Sequence, residues 1–443
     1  MEGAIETSLN KGAKKAPELQ AELRISQPTL SRTLTHLEKT RRVIRLGSAR
    51  STRYAALRIS APLRQASYPL YEVGENGEAK HVASLATIAP RHFAVLPPKN
   101  AAKPNFPVAE EISAALPYYL QPMRPEGFLG RLIAAGAARN LQLPTDERQW
   151  SEDEVLLFAT QLGSDLPGAF IVGEESMRRH LTQRAALSVD NEADVFLDAV
   201  RLLETENPPG SSAGGEQPKF TSLIRDSEGQ PMHVLVKFSR ADNDAAAERW
   251  RDLLIAEHIA LSTLRAAGVN ASHSRIAEYA GRVHLVVERF DRVGLTGRRH
   301  YVPFGAIDDA LIGERRHVCA SAAHLQQMNL ISEQDLGTIQ LVSLFGEAIG
   351  NTDQHFGNTS FTCTPAGFAL APVYDVLPMW YAPQSQGGMQ QGLHPQLVIL
   401  PEFYHLRDRV LALAKTFWQQ VHDHARVSPG FREIGGKNLE RLC

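Results

Sequence analysis

A short polar segment, GNTDQHFGNTSF at residues 350–361, constrains the fold of this chain more than any other feature. Asp353 and Asn358 are separated there by four residues in a D-x-x-x-x-N pattern, and Asp375 follows after the strand-like run FALAPVY. A carboxylate can accept the proton of an attacking hydroxyl group, and Mg²⁺ prefers carboxylate and amide oxygens as ligands. The pattern therefore predicts a base and two metal ligands in the C-terminal half of the chain.

Upstream segments offer the other parts that accompany such a loop in protein kinases. Lys237 ends the apolar run HVLVKF, where it can contact nucleotide phosphates; the alternative is a sheet-edge lysine whose charged end reaches water. A phosphate-binding lysine requires a carboxylate on a nearby helix, and the helical segment RWRDLLIAEHIALSTLRAAGV offers Glu257. The strand-like run VHLVVERFDR stops at Glu288 and Phe290, where kinases bind adenine. A D-x-x-x-x-N pair alone arises often by chance, whereas this ordered series does not.

A glycine-rich stretch, PPGSSAGGEQPKF at residues 208–220, precedes these features. Adjacent glycines after two serines can bring backbone amides against an anion. The Walker A pattern GxxxxGK[ST] is absent. A plain hairpin loop is the alternative interpretation of this stretch when it is taken alone.

The chain joins a basic N-terminal segment to an acidic body. Residues 1–65 carry 13 Lys and Arg against 5 Asp and Glu, a surplus of +8, and the rest of the chain has a net charge of −10. Residues 16–23 favour a short helix, and a second helix follows an N-cap at Ser26, with leucines at i, i+4 and i+7. Two strand-like runs, RRVIRL and TRYAAL, come next. The order resembles a winged helix-turn-helix; a basic cap that binds nothing is the alternative.

We expect this N-terminal module to bind DNA, since its second helix presents hydroxyl, amide and guanidinium groups and its hairpin carries arginines. The expected DNA contacts are Gln27, Thr29, Ser31 and Arg32 from the helix and Arg45, Arg50 and Arg53 from the hairpin.

The middle of the chain carries no chemical motif and no internal repeat. Residues 66–110 are strand-rich and run into PPKNAAKPNFP, whose prolines predict an extended loop. Helical patterns near residues 126–140 and 152–163 precede the strand-like AFIVG at 169–173. From residue 174 a charged segment leads into the glycine-rich stretch.

Size and composition exclude several protein classes. With 443 residues the chain is too long for one core and predicts about three domains. It has no apolar run of about 18 residues, and its start lacks the apolar segment of a secretory signal. Cys319, Cys363 and Cys443 have no metal-ligand spacing, so neither a disulfide scaffold nor a cysteine-based zinc site is expected. We expect a cytoplasmic protein that does not enter a membrane.

Together, SSAGGEQPKF, LVKF, VVERFDR, GNTDQHFGN and APVYDV resemble the HipA family of bacterial serine/threonine kinases, the toxins of toxin–antitoxin systems. The resemblance covers roughly residues 65–420 and points to the YjjJ-like branch, whose members carry their own helix-turn-helix. It implies an α+β fold, a two-lobed phosphatidylinositol-kinase-like kinase with a largely helical C-lobe, here with an N-terminal winged helix-turn-helix. The expected domains are a DNA-binding domain (1–65), a HipA-like N-terminal subdomain (66–205), a kinase N-lobe with the glycine-rich loop (206–295) and a kinase C-lobe with the catalytic loop (296–443).

The resemblance also implies ATP and Mg²⁺ as cofactors and a role for each matching residue. Asp353 matches the catalytic base, Lys237 the lysine that contacts the ATP phosphates, and Asn358 and Asp375 the Mg²⁺ ligands. Ser211 or Ser212 matches the serine that family members autophosphorylate. The expected ATP contacts are Ser212, Ala213, Gly214, Gly215, Lys237, Glu288, Phe290 and His355.

The partners implied are DNA and a protein substrate, for which the family suggests a translation component such as an aminoacyl-tRNA synthetase. The sequence does not indicate an oligomeric state. One alternative is a DNA-binding transcription regulator whose kinase-like body is a nucleotide sensor or scaffold, which would have less need of Asp353. Another is an unrelated metal-dependent hydrolase that uses the same carboxylates.

Overall fold

The computed structural model begins with an N-terminal module of short helices and a hairpin. The described residues are 1–98, 112–186, 191–206, 217–242, 244–384, 388–390 and 392–442. The elements of the module are α1 (Glu2–Leu9), α2 (Ala16–Leu23), α3 (Gln27–Lys39), β1 (Val43–Leu46) and β2 (Arg53–Ala56). Helices α2 and α3 and both strands lie where the sequence predicts them, whereas α1 is an addition to the prediction.

Helix α3 forms because its sequence carries both a start signal and an apolar stripe. Ser26 Oγ accepts a hydrogen bond from the Thr29 backbone N–H at 3.4 Å, as an N-cap residue does. Leu30, Leu34 and Leu37 are buried in a small core shared with α1 and α2. The opposite, polar face of α3 remains at the surface.

The hairpin continues directly into the middle of the chain. The Arg58 N–H donates to the Thr87 carbonyl (2.9 Å), and the Ala89 N–H donates to the Ala56 carbonyl (3.0 Å). The guanidinium of Arg58 also binds the Asp153 carboxylate at 2.8 Å, and both side chains are largely buried. The N-terminal module is therefore packed against the middle sheet.

The middle of the chain is an antiparallel sheet, in the order β6–β5–β4–β3–β7, with helices around it. Its elements are β3 (Ser67–Val73), β4 (Ala79–Ile88), β5 (His92–Leu96), β6 (Ile112–Ser113), α4 (Gly127–Leu141), α5 (Glu152–Leu162), β7 (Phe170–Val172), α6 (Glu174–Ala186) and α7 (Glu192–Glu206). Helices α6 and α7 occupy the charged segment after residue 174, for which the sequence predicts no element. Apolar residues of α7 pack against the next sheet, so tertiary contact supports this helix.

A second antiparallel sheet has the order β10–β11–β9–β8, and the long helix α8 packs on it. Its elements are β8 (Lys219–Arg225), β9 (Pro231–Phe238), α8 (Ala245–Ala266), β10 (Ser274–Tyr279) and β11 (Arg282–Glu288). Asp244 caps α8 by accepting the Ala247 N–H at 2.7 Å. The strand end at Glu288 agrees with the predicted strand stop.

The C-terminal part is mainly helical. Its elements are β12 (Arg292–Val293), β13 (Gly297–Arg298), β14 (Val302–Pro303), α9 (Phe304–Leu311), α10 (Val318–Gln327), α11 (Glu333–Ile349), β15 (Ser360–Thr364), β16 (Gly367–Leu370), α12 (Arg407–Asp423) and α13 (Pro429–Leu442). No helix among the described residues combines the length and apolar character needed to cross a bilayer. The mixed architecture agrees with the predicted α+β class; the two-lobed arrangement and the winged helix-turn-helix remain predictions.

Large apolar clusters lie on either side of the 350–361 loop. One joins the middle sheet to α9 and α10 and includes Phe361, at the end of the loop. Another joins α8 to α11, α12 and α13 and includes Ile349, just before the loop. Both ends of this polar loop are therefore anchored in apolar core.

Candidate active site

A buried lysine bound by two carboxylates lies at the centre of the candidate site. Lys237, on β9, donates to both carboxylate oxygens of Glu257, on α8, at 2.8 and 2.7 Å. The same ammonium group contacts the Asp375 carboxylate, although Asp375 is 138 residues away in the chain. The side chains of Lys237 and Glu257 are only 6% and 1% exposed. The carboxylate partner predicted for Lys237 is therefore present, and Lys237 and Asp375 lie together.

The charges of this cluster shift the pKa of each member. Burial would lower the pKa of Lys237, but Asp375 and Glu257 together hold it well above its usual value. Burial raises the pKa of Glu257 to about 7, with Asp375 adding to the rise and Lys237 opposing it. Burial would also raise the pKa of Asp375, yet Lys237 and Lys219 lower it to about 2. The cluster thus keeps Asp375 ionised at neutral pH.

The predicted metal ligands Asn358 and Asp375 are neighbours in space. Asn358 Nδ2 lies 3.5 Å from the Asp375 backbone carbonyl, and Asp375 has a left-handed φ of +55°. Asn358 Oδ1 is buried and has no hydrogen-bond partner among the described residues. An unpartnered amide oxygen beside an ionised carboxylate matches the oxygen ligands that Mg²⁺ takes. The residues present therefore fit the metal.

The described residues contain no cluster of three or more His, Cys, Asp or Glu side chains arranged to hold a metal.

The 350–361 loop is shaped by its own hydrogen bonds. Helix α11 ends at Gly350, whose φ of +83° turns the chain out of the helix. Asn351 Oδ1 then accepts the Asp353 N–H at 3.1 Å, and His355 Nδ1 accepts the Gly357 N–H at 3.0 Å. The Asp353 carboxylate is exposed and makes no hydrogen bond or ion pair with other described residues. Asp353 is thus available to a reacting group from outside.

The segment after β11, residues 288–290, lies against the loop through an aromatic stack. The ring of Phe290 stacks on Tyr374 at a centroid distance of 5.7 Å and an angle of 28°. Tyr374 precedes Asp375, and its hydroxyl donates to the Gly357 carbonyl at 2.7 Å. The Glu288 side chain is exposed, while its backbone N–H is bound to the His273 carbonyl. The structure therefore brings Phe290 into contact with Tyr374, whereas the Glu288 side chain lies at the surface.

A cavity of about 430 Å³ opens beside these groups. Its lining includes Asn351, His355, Asn358, Tyr374 and Asp375. Both predicted metal ligands and the predicted ATP contact His355 border it, whereas Lys237, Asp353, Glu288 and Phe290 are not among its lining residues.

Some predicted residues lie elsewhere or outside the described residues. Ser211, Ser212, Ala213, Gly214 and Gly215 are outside the described residues. The predicted DNA contacts all belong to the N-terminal module, and none of them is part of the Lys237 cluster. Of these, the exposed ones are Gln27, Ser31, Arg32, Arg45, Arg50 and Arg53.

Thr29 differs from the other predicted DNA contacts. It is half-buried, and its hydroxyl is 2.9 Å from the Ser26 hydroxyl at the start of α3. Thr29 is thus part of the helix cap, and its contact with DNA stays a prediction.

Sequence reasoning named Glu257 only as an available partner and missed Tyr374 and Asn351. Glu257 could be found because a strand lysine calls for a helix carboxylate. Tyr374 stands next to Asp375, but only the fold shows that its ring stacks on Phe290. Asn351 carries no signal beyond its position next to the helix end.

Comparisons with known proteins cover the chain almost completely. The family model described as YjjJ-like toxin, middle domain, matches residues 64–181, and the model described as HipA-like C-terminal domain matches residues 211–426. Toxin YjjJ of Escherichia coli K12 is 35% identical over 437 residues, which is 98% of this chain and 96% of that protein. The serine/threonine-protein kinase toxin HipA of Shewanella oneidensis is 27% identical over 203 residues, 39% of this chain and 44% of that protein.

A solved structure shows the same general fold. It is the Shewanella oneidensis toxin–antitoxin complex of HipA, HipB and operator DNA, and one of its chains aligns with a TM-score of 0.52 at 14% identity. The alignment covers 85% of this chain and 95% of that chain.

Proposed function

This chain belongs to the HipA family of toxins, in its YjjJ-like branch, and from that premise we propose that it is an ATP- and Mg²⁺-dependent serine/threonine protein kinase. The observation that carries the proposal is the buried cluster of Lys237, Glu257 and Asp375 with the unpartnered Asn358 Oδ1 beside it. A lysine held by a helix carboxylate next to a metal-binding aspartate is the arrangement that protein kinases use for phosphoryl transfer.

In this mechanism each residue acts by position or charge. Asn358 Oδ1 and the Asp375 carboxylate would hold Mg²⁺, which when bound neutralises charge on the ATP phosphates. Lys237 leaves Asp375 to contact those phosphates while Glu257 keeps it in place. Asp353 accepts the proton of the substrate hydroxyl. At the same time the hydroxyl oxygen bonds to the γ-phosphorus, and the bond between the γ-phosphorus and the β-phosphate oxygen breaks. The aromatic pair of Phe290 and Tyr374 offers a flat surface for adenine.

Transfer of γ-phosphate from labelled ATP tests this proposal. The purified protein should label itself or lysate proteins in the presence of Mg²⁺, and Asp353→Ala should abolish the label while it still binds ATP·Mg²⁺. Asp335→Ala, at the start of α11, replaces a control aspartate whose carboxylate accepts the hydroxyl of the N-cap Ser332 at 2.8 Å and lies outside the cluster. Unchanged labelling by Asp353→Ala would refute the role of this loop. Nucleotide binding without any transfer would favour the alternative of a nucleotide-sensing regulator.

Autophosphorylation in the glycine-rich stretch is part of the proposal. Ser211 or Ser212 would receive the phosphate, with Ala213, Gly214 and Gly215 contacting ATP. A phosphate adds about −1.5 to −2 charges at neutral pH. It would stand beside the binding site for the ATP phosphates, so that like-charge repulsion should switch the kinase off.

We also propose that the N-terminal module binds DNA as a winged helix-turn-helix. The exposed face of α3 carries Gln27, Ser31 and Arg32, and the hairpin exposes its arginines. In the solved structure named above, HipA occurs together with HipB and operator DNA. Here the DNA-binding groups would belong to the toxin chain itself. The protein substrate would be a translation component, such as an aminoacyl-tRNA synthetase.

A further inference from the structure

The segment that follows the adenine-binding strand is tied to the middle of the chain by a buried ionic network. Asp291 and Arg292 are each 6% exposed and Arg298 is 4% exposed. The Gly168 N–H donates to Asp291 Oδ2 at 3.1 Å, and Arg292 donates to the same oxygen at 2.7 Å. Arg292 also donates to Asp165 Oδ1 at 2.9 Å. We call residues 288–290 the hinge. We call the residues that hold the chain next to it the hinge brace: Asp165, Gly168, Asp291, Arg292 and Arg298.

The hinge brace connects two regions matched by separate family models. Asp165 and Gly168 belong to the middle domain, residues 64–181, and the other members belong to the HipA-like C-terminal domain, residues 211–426. Arg292 reaches further backbone groups of the middle domain, the carbonyls of Leu166 (3.0 Å) and Gly168 (3.3 Å). Contacts to backbone carbonyls fix the position of a guanidinium more firmly than a pair of mobile side chains does.

The far end of the same hairpin is held as well. The Arg298 N–H donates to the Gly74 carbonyl at 3.1 Å, and the Arg298 guanidinium donates to the Ser164 carbonyl at 2.5 Å. Gly297 packs so closely that an added Cβ would lie 2.0 Å from the Glu75 carbonyl oxygen. The hairpin from β12 to β13 is therefore attached to the middle domain at both of its strands.

Burial and neighbouring charges shift the pKa values of the charged groups in the brace. Burial would raise the pKa of Asp291, but Arg289 and Arg292 hold it well below its usual value. Burial, together with the positive charge of Arg292, lowers the pKa of Arg298 to about 9. An arginine that is so unfavourably placed must be retained by its neighbours, which makes the network sensitive to the loss of one aspartate.

A short path leads from the brace to the candidate site. Asp291 adjoins Phe290, whose ring stacks on Tyr374. Tyr374 adjoins the metal ligand Asp375 and binds the Gly357 carbonyl in the 350–361 loop. Displacement of residues 288–291 would therefore move one face of the site.

From this geometry we propose that the middle domain positions the nucleotide-binding hinge, with Asp165 and Arg292 as positioning residues. The proposal rests on the proposed kinase function, because it takes residues 288–290 to bind adenine. It assigns the middle domain a role in holding nucleotide. The domain need not touch nucleotide itself.

The test compares two aspartates that each pair with a buried arginine. Asp165→Asn weakens the brace, and its side chain is 59% exposed, so the variant should fold. Asp153→Asn weakens the Arg58 pair, which joins the N-terminal module to α5 and lies away from the hinge. Titration with fluorescent trinitrophenyl-ATP and Mg²⁺ should show a Kd about 3- to 10-fold higher for Asp165→Asn than for the wild type. Asp153→Asn should keep the wild-type Kd.

Hydrogen exchange provides a readout that does not depend on nucleotide. Peptides covering residues 288–300 should exchange faster in Asp165→Asn and at the wild-type rate in Asp153→Asn. An unchanged Kd in Asp165→Asn, or equal effects of both substitutions, overturns the proposal. A wild type that binds no nucleotide overturns the proposed kinase function, and unchanged exchange at 288–300 in Asp165→Asn then overturns the brace separately.

Discussion

Replacing Lys237 with methionine is the sharpest test of the buried cluster, because it leaves two carboxylates without their shared cation. Methionine has a similar length and flexibility, so packing changes little while the charge is lost. Glu257 and Asp375 would then face each other with Glu257 only 1% exposed. Removing one partner of a buried ion pair destabilises a protein by about 3–5 kcal/mol, since an uncompensated charge remains.

The pKa of Asp375 supports this magnitude independently. Its fall from 3.8 to about 2 corresponds to a favourable interaction on the order of a few kcal/mol at neutral pH, chiefly with Lys237. This contribution is present above the ordinary pKa of an aspartate and is lost as the pH falls toward 2. The variant also loses the ion pair between Lys237 and Glu257, which adds to the destabilisation. We therefore expect Lys237→Met to lower the free energy of unfolding by about 3–5 kcal/mol at pH 7.

The pH dependence gives a second prediction from the same variant. Glu257 already has a raised pKa of about 7, and without Lys237 that pKa should rise further. A carboxyl group whose pKa is higher in the folded state destabilises that state increasingly as the pH rises above its unfolded value. The deficit of Lys237→Met should thus be larger at pH 8 than at pH 5.5.

Urea unfolding followed by tryptophan fluorescence and far-UV circular dichroism measures these differences, provided that the two probes give the same transition. The double variant Lys237→Met/Glu257→Gln should be more stable than Lys237→Met by about 1–2 kcal/mol, because glutamine removes the free-energy cost of protonating a buried carboxyl group at neutral pH. Lys437→Met is the matched control, since Lys437 pairs with Glu433 at 2.7 Å on an exposed helix face. It should unfold at the wild-type midpoint. A wild-type midpoint for Lys237→Met, or no recovery in the double variant, would refute the reasoning.

Three further predictions concern the metal, the glycine-rich stretch and DNA. Asp375→Asn should weaken Mg²⁺-dependent nucleotide binding, as measured by titration with and without Mg²⁺; equal affinity with wild type in Mg²⁺ would contradict its role. Mass spectrometry after incubation with ATP should find phosphate on Ser211 or Ser212, and robust transfer to other proteins with neither serine modified would exclude inhibition through this stretch. Arg32→Ala should weaken the binding free energy for the preferred DNA by about 1–3 kcal/mol and make the protein less selective for the contacted base. Binding is measured on a duplex from upstream of the protein's own gene and on a random duplex, at two salt concentrations. If the wild type binds neither duplex at low salt, the N-terminal module is only a cap.

Local features of this protein could be predicted from its sequence because they depend on neighbouring residues. The N-cap at Ser26 and the leucine stripe of α3 specify a helix wherever the chain places it. The spacing of Asp353 and Asn358 places both on one loop, which helix α11 and strand β15 then hold at its ends. The strand end at Glu288 and the helix that carries Glu257 also follow from local pattern.

Only the tertiary structure decided which distant groups meet. The contact of Lys237 with Asp375 joins residues 138 positions apart, and that of Gly168 with Asp291 joins residues 123 positions apart. Neither leaves a trace in spacing or periodicity, because each depends on how whole sheets and helices pack. The hinge brace had no sequence signal at all, since isolated aspartates and arginines usually lie in water. Burial gives them their role, and burial is a property of the complete fold.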